Sequence, residues 1–135
     1  MAGRAAIACG CRRTCRHLLR RDADHGPKGH GTQFGLPIPT IESPSQAPAF
    51  VDARIAEGSA YIKIVYDAGD AYNISLPSID ETVLRAVVAA ARARGKLAIV
   101  HVGSRRAAET AIAAGANGLV HTFGDELPPA QLVRL

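Results

Sequence analysis

Three apolar runs of this sequence each contain, at or near their ends, a side chain that can bind a metal or take part in catalysis. These side chains are Lys63, His101 and His121. Each run follows a glycine that is expected to end a helix, and apolar strands that alternate with helices are typical of a parallel sheet. Because ligands of such sheets gather at the carboxyl ends of the strands, we expect the three side chains to form one site.

Lys63 is the most unusual of the three, since it lies between Ile62 and Ile64. Removing an ammonium from water is costly, so a lysine is almost never fully buried without a partner. An edge strand with its lysine facing solvent or reaching a carboxylate accounts for the position without any function. The functional alternatives are a lysine that forms a Schiff base and a lysine modified into an anionic metal ligand. Alternation places Tyr61, Lys63 and Val65 on one face.

His101 and His121 interrupt the two following apolar runs. A single histidine at such a place is commonly a hydrogen-bonded core residue, but neutral imidazole is also the commonest protein ligand of zinc-like metals. Alternation groups each histidine with the residues two positions away: Leu97, Ile99 and His101, and Leu119, His121 and Phe123. Since neighbouring strands lie about 4.8 Å apart, Lys63, His101 and His121 are predicted to reach a common metal pair. No other catalytic residue and no organic cofactor site is assigned.

The strands that must position these residues are expected over 60–65, 97–102 and 118–122. The first helix is expected to start at a capping box of Ser43 and Gln46, with Pro44 at its first position, and to end at Gly58. Pro48 is tolerated only if it lies in the first turn or so of this helix. The predicted fold class is therefore α/β with parallel strands.

Two further helices complete the pattern. A second capping box, of Ser78 and Glu81, is expected to start a helix that ends at Gly95. The third helix is expected from about Ser104 to residue 114, with Gly115 after it. The second helix has an apolar stripe at i, i+3, i+4 and i+7, formed by Leu84, Val87, Val88 and Ala91.

The charge distribution divides the chain near Gly29. Residues 1–30 hold 7 Lys+Arg against 2 Asp, a net charge of +5, whereas residues 31–135 hold 9 Lys+Arg against 10 Asp+Glu, a net charge of −1. A nearly neutral globular part argues against nucleic-acid binding, despite the overall net charge of +4. We expect residues 1–28 to be a basic, disordered or non-homologous tail and residues 29–135 to be the α/β domain.

The tail also holds all three cysteines, Cys9, Cys11 and Cys15. An odd cysteine count without a secretory signal predicts reduced thiols and a cytoplasmic location. The spacing of these cysteines and His17 fits no common zinc module, so no metal site is assigned to them. No apolar run approaches the ~18 residues that span a bilayer, so no membrane association is expected.

The composition of the tail suggests how it arose. It is rich in Arg, Ala, Gly and Cys and has no helical or strand period, as expected for a GC-rich coding region translated out of frame. We therefore expect residues 1 to about 27 to result from a frameshift or a wrong start codon. The alternative is a genuine basic, disordered N-terminal arm.

Four segments, in this order and spacing, resemble the metal-dependent amidohydrolase superfamily, in the branch related to imidazolonepropionase and the Xaa-Pro dipeptidase-like hydrolases. They are Gly29-His30-Gly31-Thr32-Gln33, Glu57-Gly58-Ser59-Ala60-Tyr61-Ile62-Lys63-Ile64, Gly95-Lys96-Leu97-Ala98-Ile99-Val100-His101 and Ala114-Gly115-Ala116-Asn117-Gly118-Leu119-Val120-His121. The resemblance implies a (β/α)₈ barrel that holds one or two ions of zinc or another divalent metal. It also implies hydrolysis of C–N bonds in small amide, imide or dipeptide-like substrates.

On this resemblance, Lys63 ends the fourth strand of the barrel as a carboxylated lysine that bridges the metals. His101 and His121 end the fifth and sixth strands and bind the second metal. Carboxylation agrees with the physical argument, because it converts the ammonium into an anion and removes the cost of burying a cation.

The sequence departs from the family in two ways. It contains no His-x-His pair, which in the family ends the first strand and binds the first metal. It also has no counterpart of the aspartate on the eighth strand. We therefore expect a partial barrel of about three βα units, without amidase activity and with at best weak zinc binding. Such a piece leaves sheet edges unpaired, through which we expect it to oligomerise.

Two other functions are compatible with the sequence. A class I aldolase barrel also places a Schiff-base lysine at a strand end, as Lys63 is placed here, but it gives no reason for His101 and His121. A small α/β domain that binds a ligand through these strand ends, without catalysis, is the second alternative.

Overall fold

The computed structural model describes residues 39–121 together with Phe123 and Asp125. Helices α1 (Ala47–Ala56), α2 (Glu81–Ala93) and α3 (Arg105–Ala113) alternate with strands β1 (Ile62–Val65), β2 (Ala98–His101) and β3 (Gly118–Val120). Short 3-10 helices lie at Pro44–Gln46 and Asp70–Tyr72. The predictions for residues 1–28 and for the segment up to residue 38 lie outside the described residues.

The predicted capping box of Ser43 and Gln46 is confirmed, but it starts a 3-10 turn rather than the α-helix itself. The Gln46 Oε1 atom accepts hydrogen bonds from the backbone N–H groups of Glu42 and Ser43, at 2.9 and 3.1 Å, which forms the capping box. Pro44 follows the cap and begins a 3-10 turn, so the α-helix itself starts only at Ala47. Pro48 therefore lies in the first turn of α1, where a missing N–H group has no cost.

The predicted start of the second helix is wrong by two residues. Asp80, not Ser78, is the N-cap of α2, and its Oδ1 atom accepts from the backbone N–H of Val83 at 2.8 Å. Glu81 is consequently the first helical residue. The Ser78 Oγ atom is buried and has no hydrogen-bond partner among the described residues. A carboxylate is an equally favoured N-cap and sits at the positive end of the helix dipole.

The other helix boundaries agree with the sequence. Ser104 caps α3 by accepting from the backbone N–H of Ala107 at 3.2 Å. The glycines after α1, α2 and α3 all have a left-handed backbone, with φ of 90° at Gly58, 65° at Gly95 and 87° at Gly115. Glycine adopts this conformation without steric cost, which is why it ends these helices.

The three strands form a parallel sheet in the order β1-β2-β3. Lys63 pairs with Ile99, Val65 pairs with His101, and His101 pairs with Val120. The predicted α/β class with parallel strands is confirmed. Within the described part of the chain, β1 and β3 each pair on one side only. Oligomerisation through these edges stays a prediction.

The core lies between the sheet and the helices. The residues on one face of β1 and β2 are buried against it: Ile62, Ile64, Ala98 and Val100. The predicted apolar stripe of α2 is confirmed, because its four members are at most 1% exposed. Arg94 and Asp52 form an ion pair that connects the end of α2 to α1. No helix in the described ranges has the length and apolar character needed to cross a membrane.

Leu84 provides a direct test of this packing. It is completely buried in α2, whereas Leu97 is 55% exposed before β2. We expect Leu84→Ala to lower the free energy of unfolding by about 2–5 kcal/mol, because it leaves a cavity. The matched change Leu97→Ala is expected to alter it by less than about 0.5 kcal/mol. Urea denaturation of both variants measures the difference, and equal effects would contradict the arrangement of the core.

Candidate strand-end site

His101 is the centre of the candidate site. It is the last residue of β2 and is only 8% exposed, between Val65 and Val120 on the neighbouring strands. Its ring lies against the ring of His121, with 4.4 Å between the ring centres and 56° between the ring planes. The structure therefore brings together the two histidines that the sequence predicts as ligands.

The alternation of side chains along β3 does not predict the orientation of His121. The register places Leu119 beside Val100, on the face that packs against the helices, and strict alternation would put His121 on that face as well. That prediction is wrong, because β3 ends at Val120 and His121 has a left-handed backbone with φ of 72°. Such a conformation costs a non-glycine residue about 1–3 kcal/mol and is frequent at ligand sites.

Lys63 shares a face of the sheet with His101 but lies deeper. Since Lys63 pairs with Ile99, its Cα is two residues below the level of His101, a distance of about 6.6 Å along the strand. Lys63 therefore does not end its strand, as β1 continues through Ile64 and Val65. Its side chain is half-buried, so it is neither a fully solvated edge lysine nor a fully buried one.

Asp67 is a functional candidate that sequence reasoning missed. It follows the end of β1 by two residues and is 6% exposed. Its Oδ2 atom lies 3.3 Å from the Nε2 atom of His101, and its Oδ1 atom accepts from the backbone N–H of Gly69 at 2.9 Å. The available indication was an acidic residue in the loop directly after a predicted parallel strand, where ligands gather.

Gly103 closes the space around this carboxylate. A Cβ atom at Gly103 would lie 2.5 Å from Oδ2 and 2.6 Å from Oδ1 of Asp67. Because such distances are far below van der Waals contact, any larger residue there would displace the carboxylate. The loops after β1 and β2 are therefore packed directly against each other beside His101.

The two histidines have a spacing compatible with a shared metal ion. Two imidazoles that bind one zinc through Zn–N bonds of about 2.0–2.1 Å have ring centres about 5 Å apart. The observed 4.4 Å needs only a small adjustment of the rings. Among the described residues, no group of three or more His, Cys, Asp or Glu side chains is arranged to hold a metal. The histidine pair therefore fits as part of a metal site that needs further ligands.

A separate cavity of about 260 Å³ lies beside these loops. Its lining comes from the loop between β1 and α2 and from the start of α3: Tyr66, Ala68, Asp70, Ser78, Ile79, Arg106 and Ala107. Partial burial, together with the nearby carboxylate of Glu81, raises the pKa of Tyr66 above its ordinary value. None of Lys63, His101 and His121 lines this cavity, so it is distinct from the strand-end site.

The three βα units match part of a TIM-barrel-like fold, which several proteins of known structure share. A Xaa-Pro dipeptidase with methionine bound in its active site is 28% identical over 59% of this chain, with a TM-score of 0.51. An amidohydrolase is 21% identical over 72% of this chain, with a TM-score of 0.57. Ochratoxinase of A. niger is 17% identical over 77% of this chain, with a TM-score of 0.60.

These similarities are consistent with the amidohydrolase superfamily, as the sequence motifs predict. The matched regions are 20%, 24% and 29% of the three solved chains, so this chain spans less than a third of each. No protein-family model and no curated protein sequence matches this chain.

Tyr66 gives the structure a predicted pH dependence. Its pKa is higher in the folded than in the unfolded chain, whose ordinary value is 10.0, so the folded state retains the phenolic proton at higher pH. Stability is therefore lost as the pH rises above the unfolded value, because the unfolded state then binds fewer protons. We expect Tyr66→Phe to lose less stability than the wild type between about pH 8 and about pH 11 in urea titrations.

Tyr72, which is 66% exposed, provides the control for this measurement. Tyr72→Phe is expected to keep the full pH dependence of the wild type. The prediction is contradicted if the loss of stability with rising pH is unchanged in Tyr66→Phe or abolished in Tyr72→Phe. Either result would show that the burial of Tyr66 does not cause the pH dependence.

Proposed function

We propose that this chain provides part of the active site of a metal-dependent hydrolase that cleaves C–N bonds in small amide or dipeptide-like substrates. The observation that supports this most is the contact between the rings of His101 and His121, at the ends of consecutive parallel strands. A hydrogen-bonded core histidine needs no second imidazole beside it. The similarity to an amidohydrolase and a Xaa-Pro dipeptidase supports the reaction class.

His101 and His121 are the proposed ligands of zinc or another divalent cation. Neutral imidazole suits such ions, and the carboxyl ends of barrel strands are where catalytic groups collect. When bound, the cation supplies Lewis-acid polarisation of the scissile carbonyl and makes water nucleophilic near neutral pH. His101 and His121 would hold the cation at the carboxyl end of the sheet, where a small substrate can reach it.

Lys63 is the proposed third ligand, in carboxylated form. Its neutral Nζ would form a bond to the carbon of CO₂ and lose a proton, which gives an anionic carbamate with two oxygens. The Cα of Lys63 lies two residues below the level of His101 on the same face of the sheet. A long side chain at this position would extend towards the carboxyl end of the strands, where the metals would bind. The negative charge of the carbamate would be paired with the bound cation, which offsets the cost of half-burying a charged group between Ile62 and Ile64.

The set of ligands in this chain is incomplete. The sequence contains no His-x-His pair, and the three proposed ligands correspond only to the second metal and the bridge of the resembled family. We therefore expect the 135-residue polypeptide on its own to show no measurable amidase or dipeptidase turnover and to bind zinc weakly. The proposal also includes a small amide or dipeptide-like substrate and a cytoplasmic location.

Zinc binding by the strand ends can be measured by isothermal titration. Because Cys9, Cys11 and Cys15 also attract zinc, all variants should carry serine at these three positions. In that background we expect His101→Ala or His121→Ala to lower zinc affinity at least about tenfold, since each removes one imidazole ligand. Asp70→Asn, which removes an exposed carboxylate from the neighbouring loop, is expected to have no effect.

Two outcomes would contradict the proposal. One is zinc affinity that is unchanged in both histidine variants. The other is covalent trapping of a carbonyl substrate on Lys63 by borohydride, because that result would identify a Schiff-base lysine and an aldolase-like reaction. Turnover by the isolated chain that is lost in His101→Ala would support the site but contradict the expectation of inactivity.

A further inference from the structure

We propose that Asp67 is a positioning residue that holds His101 as the tautomer with its proton on Nε2, so that Nδ1 is the nitrogen that donates its lone pair to the metal. This inference rests on the proposed function and adds to it a residue from outside the predicted ligand set. The observation behind it is the distance of 3.3 Å between His101 Nε2 and Asp67 Oδ2, with both side chains buried.

The chemistry of the two groups determines the direction of this hydrogen bond. A carboxylate oxygen only accepts hydrogen bonds, so Nε2 must be the donor. In a neutral imidazole, the proton on Nε2 leaves the lone pair on Nδ1. Metal-binding histidines commonly donate their other N–H group to a carboxylate in this way, which orients the ring and raises its basicity.

The carboxylate is itself held in place from two sides. The backbone N–H of Gly69 donates to Oδ1 at 2.9 Å, and this leaves Oδ2 directed at His101. Gly103 lies so close that a Cβ atom there would be within 2.6 Å of both carboxylate oxygens. Asp67 is therefore fixed by a turn in its own loop and by the backbone of the next loop, as a group that orients another must be.

The arrangement also explains why two loops meet at this point. His101 is the last residue of β2, and Gly103 follows it by two residues, so Asp67 is packed between the imidazole that it orients and the start of the next loop. The ring of His121 lies 4.4 Å from the same imidazole. Rotation of the His101 ring would break its hydrogen bond to Asp67, so the geometry favours one ring orientation relative to His121.

The tautomer can be measured directly in the metal-free full chain. Long-range ¹H–¹⁵N NMR spectra distinguish the protonated from the unprotonated nitrogen of each imidazole. We expect the wild type to show the Nε2–H tautomer of His101. Asp67→Asn has the same shape but an amide that both donates and accepts, so both tautomers should be populated. Gly103→Ala should have a similar effect by displacing the carboxylate without removing it.

Asp70→Asn is the matched control, because it removes a negative charge from the same loop without any contact to His101. It is expected to leave the His101 spectrum unchanged. Zinc titration of the cysteine-free chain provides a second readout, in which Asp67→Asn should bind about 10- to 100-fold more weakly than the wild type.

The two proposals fail in distinguishable ways. An Nδ1–H tautomer in the wild type, or a spectrum that does not change in Asp67→Asn, would overturn the positioning role of Asp67 even if zinc binding depends on His101. If the tautomer shifts in Asp67→Asn as expected but His101→Ala binds zinc as tightly as the wild type, the metal site is overturned. The role of Asp67 in orienting the ring is then retained.

Discussion

The parallel register of the three strands is the constraint on which the position of every candidate ligand depends. Val65, His101 and Val120 lie side by side across the sheet. A slip of one residue in β2 would turn His101 into the core, because side chains alternate between the faces. Asn117 helps to fix the register, as its side chain accepts from the backbone N–H of Ala98 at 2.9 Å and its own N–H donates to the Ala98 carbonyl.

The strands alone do not complete the site, because the loops after them determine how the histidines are oriented. The left-handed backbone at His121 turns its ring towards His101 immediately after β3 ends. Asp67 contacts His101 from the loop after β1, and Gly103 of the following loop packs against the Asp67 carboxylate. The register of the sheet thus determines the position of each candidate ligand along its strand, and the loops determine how its side chain is oriented. This division is typical of sites at the carboxyl ends of parallel strands.

The sequence predicts the elements well and the orientation of side chains poorly, for physical reasons. Apolar runs and glycine stops are local features, so the strands and the three helices follow from them. The Ser78 cap was wrong because Asp80, two residues later, is an equally good N-cap, and local preference does not choose between them. The face of His121 was wrong because alternation ends with the strand. The contact of Asp67 with His101 joins residues 34 positions apart, so no local pattern contains it.

The central claim is that consecutive parallel strands bring the rings of His101 and His121 into contact. The most direct test is a nuclear Overhauser measurement on the metal-free chain, between the ring protons of the two histidines. With 4.4 Å between the ring centres, we expect a clear cross-peak between the rings. Absence of that cross-peak, in spectra where the protons of both rings are resolved and assigned, would contradict the site described here.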